Sequence, residues 1–427
     1  NFMYTVINKN DLLDENLLLK SWIKKFLIKV LKYIINSFAI TISANIIIIP
    51  IMAYSFSTLS LTFWISNILA APIMEIVTIY GFIVYFISLV ISPLANFLGI
   101  FLNILLFILL KIAEISSQIP GANIYIKTPY LYQCLVYYFV IIAMYNKDIL
   151  KSCVLKRMEY LKSRYKKIIA IIVIIIFIVT GIKIIPQDLK IYFIDVGQGD
   201  ATLIQTPTNK KILIDGGGSE FGSFDVGESI LLPYLLDRRI TTLDYIIISH
   251  FDSDHVGGLF AILENIKVKN IIISKQGENS TNFKKLVSII NDKKINIRVV
   301  KRGDFIKIDR YSYFEILFPE NKLIEDNIIN NNSIVAKFNS LGFNMLFTGD
   351  IEEIAEKRLC ELYNNTNKLS AMVLKVGHHG SKTSSTTEFL ELVRPQVAFI
   401  GVGENNKFGH PNDEVLERIE KIRCQNL

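Results

Sequence analysis

All five histidines of this 427-residue chain lie beyond residue 249. Four of them fall in two short runs, Ser249-His250-Phe251-Asp252-Ser253-Asp254-His255-Val256-Gly257-Gly258 and Val376-Gly377-His378-His379-Gly380-Ser381. Imidazole so scarce and so clustered points to a divalent-metal site, because histidine nitrogen with aspartate oxygen is the ligand set that borderline and hard divalent ions prefer. The chemistry this implies is hydrolytic.

Residues of this kind need strand ends to hold them. The first run follows an apolar strand over 244–249, and its glycines let the chain turn closely into a helix, so that its ligands converge as alternate strand positions cannot. Three further segments have the same construction: Phe193-Ile194-Asp195-Val196-Gly197-Gln198-Gly199-Asp200-Ala201, Ile212-Leu213-Ile214-Asp215-Gly216-Gly217-Gly218 and Leu346-Phe347-Thr348-Gly349-Asp350. Each is an apolar strand that runs into a carboxylate beside glycine. Such a carboxylate can bridge two ions or orient a ligand histidine. Singly, each is a turn-forming Asp-Gly; in this order, together, they make a site.

From Lys190 onward, β-like runs fall at 191–194, 211–214, 244–249, 270–273, 297–300, 313–317, 334–338, 344–347, 371–376 and 397–400. Helical stretches lie near 227–238, 281–292, 352–362, 385–393 and 412–423. This alternation predicts two packed sheets with helices outside. Apart from an Asn-rich stretch at 327–332, no low-complexity tract or internal repeat stands out.

The first half is different. A hydrophobic content of 51% and a mean hydropathy of +0.39 are too apolar for a soluble protein, yet the second half carries dispersed charge. Two unlike halves follow. A basic amphipathic stretch over 17–32 precedes span candidates at about 33–54, 73–91, 94–110, 130–145 and 168–185, since a helix of about 20 apolar residues crosses the hydrocarbon core. Residues 57–71, broken by polar and small residues, read as interfacial or re-entrant. Glu75 is the best candidate for a lumen-facing polar residue, beside Asn45, Asn67, Asn103 and Glu114, whose asparagines equally suit helix–helix hydrogen bonds.

Net charge is +7, and much of the excess sits between Lys147 and Lys167. It reads as a topology signal rather than a nucleic-acid patch. With five spans, both basic blocks lie in the cytoplasm and the 168–185 span carries everything after Pro186 to the outer face. The four cysteines, Cys134, Cys153, Cys360 and Cys424, show no paired spacing, which argues against a disulfide framework or zinc ribbon. The opening at Asn1, with neither initiator Met nor signal peptide, reads as a fragment of a larger protein, and the abrupt end after 413–423 suggests a second cut. The domains expected are a polytopic membrane domain over 1–186, incomplete at its N-terminal side, and a hydrolase domain over 187–427.

Residues 190–425 resemble the metallo-β-lactamase fold hydrolases, an αββα four-layer sandwich. The combination Asp-Val-Gly-Gln-Gly-Asp, Ser-His-x-Asp-x-Asp-His-x-Gly-Gly and Lys-Val-Gly-His-His-Gly-Ser resembles the ComEC family of competence proteins. The membrane half agrees: Ile49-Pro50 ahead of Tyr54-Ser55-Phe56, then Ser66-Asn67-Ile68-Leu69-Ala70-Ala71-Pro72, is similar to that family's polytopic competence domain. The family's N-terminal soluble region and part of its membrane domain are absent here.

Roles transfer by position. The superfamily pattern His-x-His-x-Asp-His matches His250, Asp252, Asp254 and His255, with Asp252 where a second histidine is expected. Asp350 matches the carboxylate that bridges two metals, and His378 or His379 the last ligand histidine. With His378 on the metal, His379, Ser381 and Lys382 are left to face the substrate phosphate. No histidine lies between His255 and His378, where the superfamily often supplies another ligand. The resemblance therefore implies one better position, from Asp254, His255, Asp350 and one of His378/His379, and a weaker one from His250, Asp252 and Asp350. The oxygen-rich set makes Mn²⁺ or Mg²⁺ as suitable as Zn²⁺. Asp252 or Asp254 orients the attacking water, and His410 resembles a substrate-side histidine that transfers a proton or contacts phosphate.

The implied function is a channel component for DNA uptake in natural transformation, with a metal-dependent nuclease-like domain outside the cell membrane. Its implied partners are single-stranded DNA, membrane lipids, other competence-machinery proteins and further copies of itself. Two alternatives stand beside it: a transport component whose hydrolase domain has lost activity, and a membrane-anchored hydrolase for another substrate.

Overall fold

A computed structural model describes residues 22–146, 186–218, 224–404, 406–422 and 425–426. The basic block at 147–167 and the span candidate at 168–185 lie outside the described residues. The chain forms two compact units, Asn1–Cys153 and Val154–Leu427.

In the first unit, helices α1 (Trp22–Phe56), α2 (Phe63–Ser88) and α3 (Ser92–Ser117) are long and apolar enough to cross a membrane. Helix α4 (Leu131–Tyr145) is apolar but has 15 residues, short of the length a span needs. Segment 57–71, expected to be interfacial or re-entrant, instead divides. Strand β1 (Thr58–Ser60) pairs antiparallel with β2 (Asn123–Tyr125), and α2 then runs unbroken through Pro72. The polar residues that suggest a break are absorbed locally: Ser57 Oγ lies 2.6 Å from Thr128 Oγ1, and Thr62 Oγ1 donates to the Ser116 carbonyl at 3.2 Å. Glu75 is exposed on α2.

A proline inside α1 explains how α4 docks on it. Pro50 has no amide hydrogen for the carbonyl of Ile46, and its ring crowds the preceding turn. The hydroxyl of Tyr137 donates to Ile46 O at 2.9 Å and that of Tyr138 to Ile47 O at 2.7 Å. The Ile46 carbonyl that the proline frees is thus satisfied by a neighbouring helix, which matters most where no water is present, and the second tyrosine adds a bond one residue on.

The second unit holds two mixed sheets. One has the order β3 (Lys190–Phe193), β4 (Thr202–Gln205), β5 (Lys211–Ile214), β6 (Thr242–Ile247), β7 (Lys267–Ser274), β8 (Asn296–Val300), antiparallel up to β5 and parallel beyond. The other runs from β9 (Phe305–Lys307) through β10 (Ser312–Phe318), β11 (Val335–Ser340) and β12 (Phe343–Phe347), all antiparallel. It continues parallel through β13 (Val373–Lys375), β14 (Val397–Phe399) and β15 (Gln425–Asn426). Short strands β4 and β9 carry too few alternating apolar residues to be read from sequence.

Strand period decides the layers, because alternate side chains point to opposite faces. Ile204, Ile212, Ile214, Ile247 and Ile272 of the first sheet meet Phe314, Ile316, Phe338, Met345 and Phe347 of the second in one core. On the far side of the second sheet, Leu346, Leu374 and Ala398 pack with helices Glu353–Tyr363, Thr387–Val393 and Asp413–Lys421 through Leu359, Phe389 and Val415. A bulge between Ile316 and Phe318 lets both Leu317 and Phe318 reach this outer layer. The far face of the first sheet buries Leu213, Ile246 and Ile271, while Leu231, Leu235, Leu259 and Ile262 of helical segments 227–237 and 259–265 are also buried. The result is the expected αββα sandwich.

Candidate metal centre

Loops leaving the C-terminal ends of β5, β6, β12, β13 and β14 build the site, the end at which open α/β sheets gather ligands. Backbone hydrogen bonds stitch three of the glycine-rich segments together. The Asp200 amide donates to Asp254 O at 3.2 Å, Gly216 to His255 O at 2.7 Å, Gly217 to Asp200 O at 2.8 Å and Gly258 to Gly217 O at 2.9 Å. Approach this close excludes side chains. Gly199 has φ +117°, and a Cβ there would stand 2.1 Å from Asp254 O; one on Gly401 would stand 2.1 Å from Asp200 Oδ1.

Three buried imidazoles are held by their Nδ1 atoms. His255 Nδ1 lies 3.0 Å from Asp215 Oδ2, His379 Nδ1 donates to the Gly401 carbonyl at 2.6 Å, and His250 Nδ1 pairs with the Ser249 hydroxyl at 3.0 Å. Asp215 also accepts from the Ser249 amide at 2.8 Å and its hydroxyl at 2.7 Å. The Nε2 atoms therefore turn inward. His255 Nε2 and His379 Nε2 face each other at 3.2 Å, with Asp350 Oδ1 3.2 Å from the first and Asp350 Oδ2 3.1 Å from the second. Asp254 Oδ2 is 3.2 Å from His379 Nε2.

A divalent cation fits this donor set. A ring that donates from Nδ1 presents a lone pair at Nε2, and two lone pairs at this distance repel unless a proton or cation lies between them. Acid–base behaviour expresses the same demand. Burial opposes charge on His379, yet Asp350 and Asp200 outweigh it and hold the imidazole up at about 10. Burial opposes it likewise on His255, which Asp350 and Asp215 hold well above the usual range. Burial pushes the Asp254 carboxyl up, but His379 and His255 draw it down to about 2. Of the three buried imidazoles, His250 goes the other way, lowered to about 3 by burial and by the charge of His255.

Ligand atoms of Asp200, His255, Asp350 and His379 lie within 4.8 Å of one another. Asp200 Oδ2, however, is committed to the buried ammonium of Lys375 at 2.5 Å, and its Oδ1 sits 4.0 Å from the outward-facing Nδ1 of His379. Asp254, on the Nε2 side, is the better fourth donor, and Asp200 balances Lys375 behind the ring.

His378 and His379 adopt consecutive left-handed conformations, φ 47° and 53°, which sequence alone does not reveal. The turn sends His379 into the ligand cluster and His378 to the cavity, its Nδ1 3.3 Å from Glu352 Oε1. His250 Nε2 lies 3.7 Å from Asp252 Oδ2 and 3.9 Å from Asp350 Oδ2. Lys382 is exposed and does not line the cavity; its carbonyl accepts from Arg418 at 3.2 Å. His410 lines the cavity with its ring 6.0 Å from that of His378 and stacked on Phe408. Burial and the neighbouring His378 lower its basicity.

The cavity measures about 480 Å³. Its lining joins an ionic side, Asp252, Asp254, Asp350 and His379, to apolar side chains that include Phe224, Ile230 and Phe408. A larger depression of about 940 Å³ beside Arg302 and Arg358 has no convergent ligands, and both arginines pair with Glu320. Asp200 and Asp215 are functional residues that sequence reasoning read only as strand-end carboxylates able to bridge ions or orient a histidine, and Lys375 is one that it left without a role. The first two stand in segments that it singled out, whereas Lys375, an unremarkable strand lysine, carries no such signal.

Residues 194–404 match the family model of the metallo-beta-lactamase superfamily, and residues 16–147 match that of the competence protein. The chain is 33% identical over 243 residues to ComE operon protein 3 of Bacillus subtilis, covering 54% of this chain and 30% of that protein. It is 32% identical over 230 residues to recombination protein 2 of Haemophilus influenzae, covering 54% and 26%. It is 31% identical over 227 residues to competence protein ComA of Neisseria gonorrhoeae, covering 53% and 28%. The matched stretch thus spans less than a third of each relative's length.

Proposed function

We infer that this chain, which belongs to the ComEC family of competence proteins, is a membrane component of DNA uptake whose 187–427 domain cleaves phosphodiester bonds at the outer face of the membrane. The observation that carries the hydrolytic part is the convergence of His255 Nε2, His379 Nε2 and both Asp350 oxygens within 3.1–3.2 Å contacts in an open cavity.

His255, His379, Asp254 and Asp350 are the residues that would hold a divalent cation, with His250 and Asp252 beside them. Such a cation supplies a water acidified toward neutrality and positive charge against a phosphoryl oxygen. The chain's own groups do the rest. Asp252, partly exposed on the cavity wall, orients the nucleophile and takes up its proton. His378 and His410 contact the phosphate, and the apolar side chains of Phe224 and Phe408 accommodate a base. Single-stranded DNA, bilayer lipids, other proteins of the uptake machinery and further copies of the chain are the partners this role requires.

A second reading, a domain that binds DNA or metal without cleaving, draws on Asp252 in place of imidazole and on the lack of histidine between His255 and His378. The full chain in detergent, loaded with Mn²⁺, Mg²⁺ or Zn²⁺, separates the two. Hydrolysis of a nitrophenyl phosphodiester and of labelled single-stranded DNA, strongest with Mn²⁺ and abolished in Asp350→Ala, is expected. Metal uptake without turnover of either substrate would leave only the second reading. Turnover of the small diester alone, with DNA uptake intact in a deletion strain, would indicate a hydrolase for another substrate.

A further inference from the structure

Asparagines 330–332 sit in the loop before β11, and two of them are fully employed in bracing it. Asn332 donates to Ile324 O and Ile328 O, both at 2.8 Å, and accepts from the Ile324 amide at 2.9 Å. Asn331 donates to Asp326 O at 3.1 Å and accepts from the Glu352 amide at 3.1 Å. Asn330 is different. It is only 7% exposed, it lines the same cavity as Asp252 and Asp350, and its Oδ1 has no hydrogen-bond partner.

Another buried atom of this site, His250 Nε2, is likewise left without a hydrogen-bond partner. A buried polar atom left unsatisfied is costly, so two beside one cavity call for an occupant. The spacing around His250 suits one. Its Nε2 stands 3.7 Å and 3.9 Å from carboxylate oxygens of Asp252 and Asp350, too far for hydrogen bonds. Two ligands that are each about 2.1 Å from one ion stand at most about 4.2 Å apart, which both separations satisfy.

We infer that Asn330 Oδ1 joins His250 Nε2 and the carboxylates of Asp252 and Asp350 to hold a second divalent cation. The inference rests on the metal-centre reading above and adds to it a ligand and a selectivity. Three of these four donors are oxygen, two of them charged and one an amide carbonyl, a set suited to Mn²⁺ or Mg²⁺. The first position, with two imidazoles, suits Zn²⁺ as well. The two positions therefore differ in hardness, and Asn330 sets the difference.

The test is Mn²⁺ titration of the full chain in detergent, by calorimetry and by electron paramagnetic resonance, with no substrate present. The wild type is expected to take up two ions and to show the exchange-coupled spectrum of paired Mn²⁺. Asn330→Ala should weaken the second ion by about tenfold or more, the scale on which even a group that merely orients a ligand acts. It should give the spectrum of an isolated ion while the first binding step is unchanged, which also reports an intact fold. Asn330→Asp adds a charged oxygen at the same place and should tighten the second step. Two unaltered binding steps in both variants would overturn the inference and leave Asn330 a residue that holds water. One ion only in the wild type would overturn it while sparing the metal-centre reading, and no ion at all would overturn both.

Discussion

Asp215 Oδ2 lies 3.0 Å from Nδ1 of His255 and accepts the Ser249 hydroxyl at 2.7 Å, so one buried carboxylate at the end of β5 fixes both the ring and the start of the ligand run. A carboxylate behind a ligand histidine sets its tautomer and raises its basicity. The Asp215-Gly-Gly-Gly segment thus serves the site from behind, without touching the cavity.

Asp215→Asn keeps the shape and removes the charge. Affinity for Mn²⁺ should fall on the order of 10–100-fold, the range for groups that orient ligands, with little change in far-ultraviolet circular dichroism. Competition titration against a chelator measures it. Unchanged affinity would mean that Asp215 is a packing residue.

Gly199→Ala tests how the loops are fitted together. The added Cβ meets Asp254 O at 2.1 Å on a backbone at φ +117°, so Asp254 or the 195–200 loop must move. Strain of this kind costs about 1–3 kcal/mol. Both a lower thermal midpoint and weaker metal binding are expected. A variant that melts earlier yet binds metal normally would show that Asp254 tolerates the shift.

The layers of the sandwich and the approximate place of most strands were legible because alternating Ile, Leu, Val and Phe leaves little choice of face. The helix boundary near residue 63 was not. Ser66, Asn67 and Pro72 suggest interruption, yet Ser66 Oγ bonds back to the Thr62 carbonyl at 3.3 Å within the helix, and Pro72 is accommodated. In the site, the residue types and their order were legible, but the partition between His378 and His379 was not, since it depends on two successive left-handed residues. Nor could the pairing of Lys375 with Asp200 be read from residues 175 positions apart, brought together only when the two sheets pack.

Glu356, buried on helix Glu353–Tyr363, gives a pH dependence of known sign. Burial raises its carboxyl to about 7, against the pull of the Ser385 and Thr386 amides, which it accepts at 2.5 and 2.7 Å. The folded-state value lies above the unfolded one. Its contribution to stability is therefore fully present below about pH 4.5 and is lost as pH rises toward 7. Thermal melts at pH 5 and pH 8 should show a loss of up to a few kcal/mol in the wild type that Glu356→Gln reduces. Identical pH profiles for the two proteins would mean that Glu356 is ionised in the fold throughout this range.

The proposed role needs the hydrolase outside, where incoming DNA is met. Lysines and arginines accumulate on cytoplasmic flanks, and the eight between Lys147 and Lys167 should stay inside while the 168–185 segment exports the domain. Asn279 offers a reporter. It is exposed, and it precedes Ser280, whose hydroxyl caps helix Thr281–Lys293 by accepting from Phe283 N at 3.1 Å, so Asn279→Cys leaves the cap intact. The native background is removable. Cys134 is buried, burial and Glu356 push the Cys360 thiol up to about 11, and Cys153 and Cys424 can be replaced with them. In intact cells the introduced thiol should react with a membrane-impermeant reagent as fully as after lysis. Labelling only after lysis would put the domain in the cytoplasm, and cleavage at an outer channel mouth would then have to be given up even if the metal centre proves active.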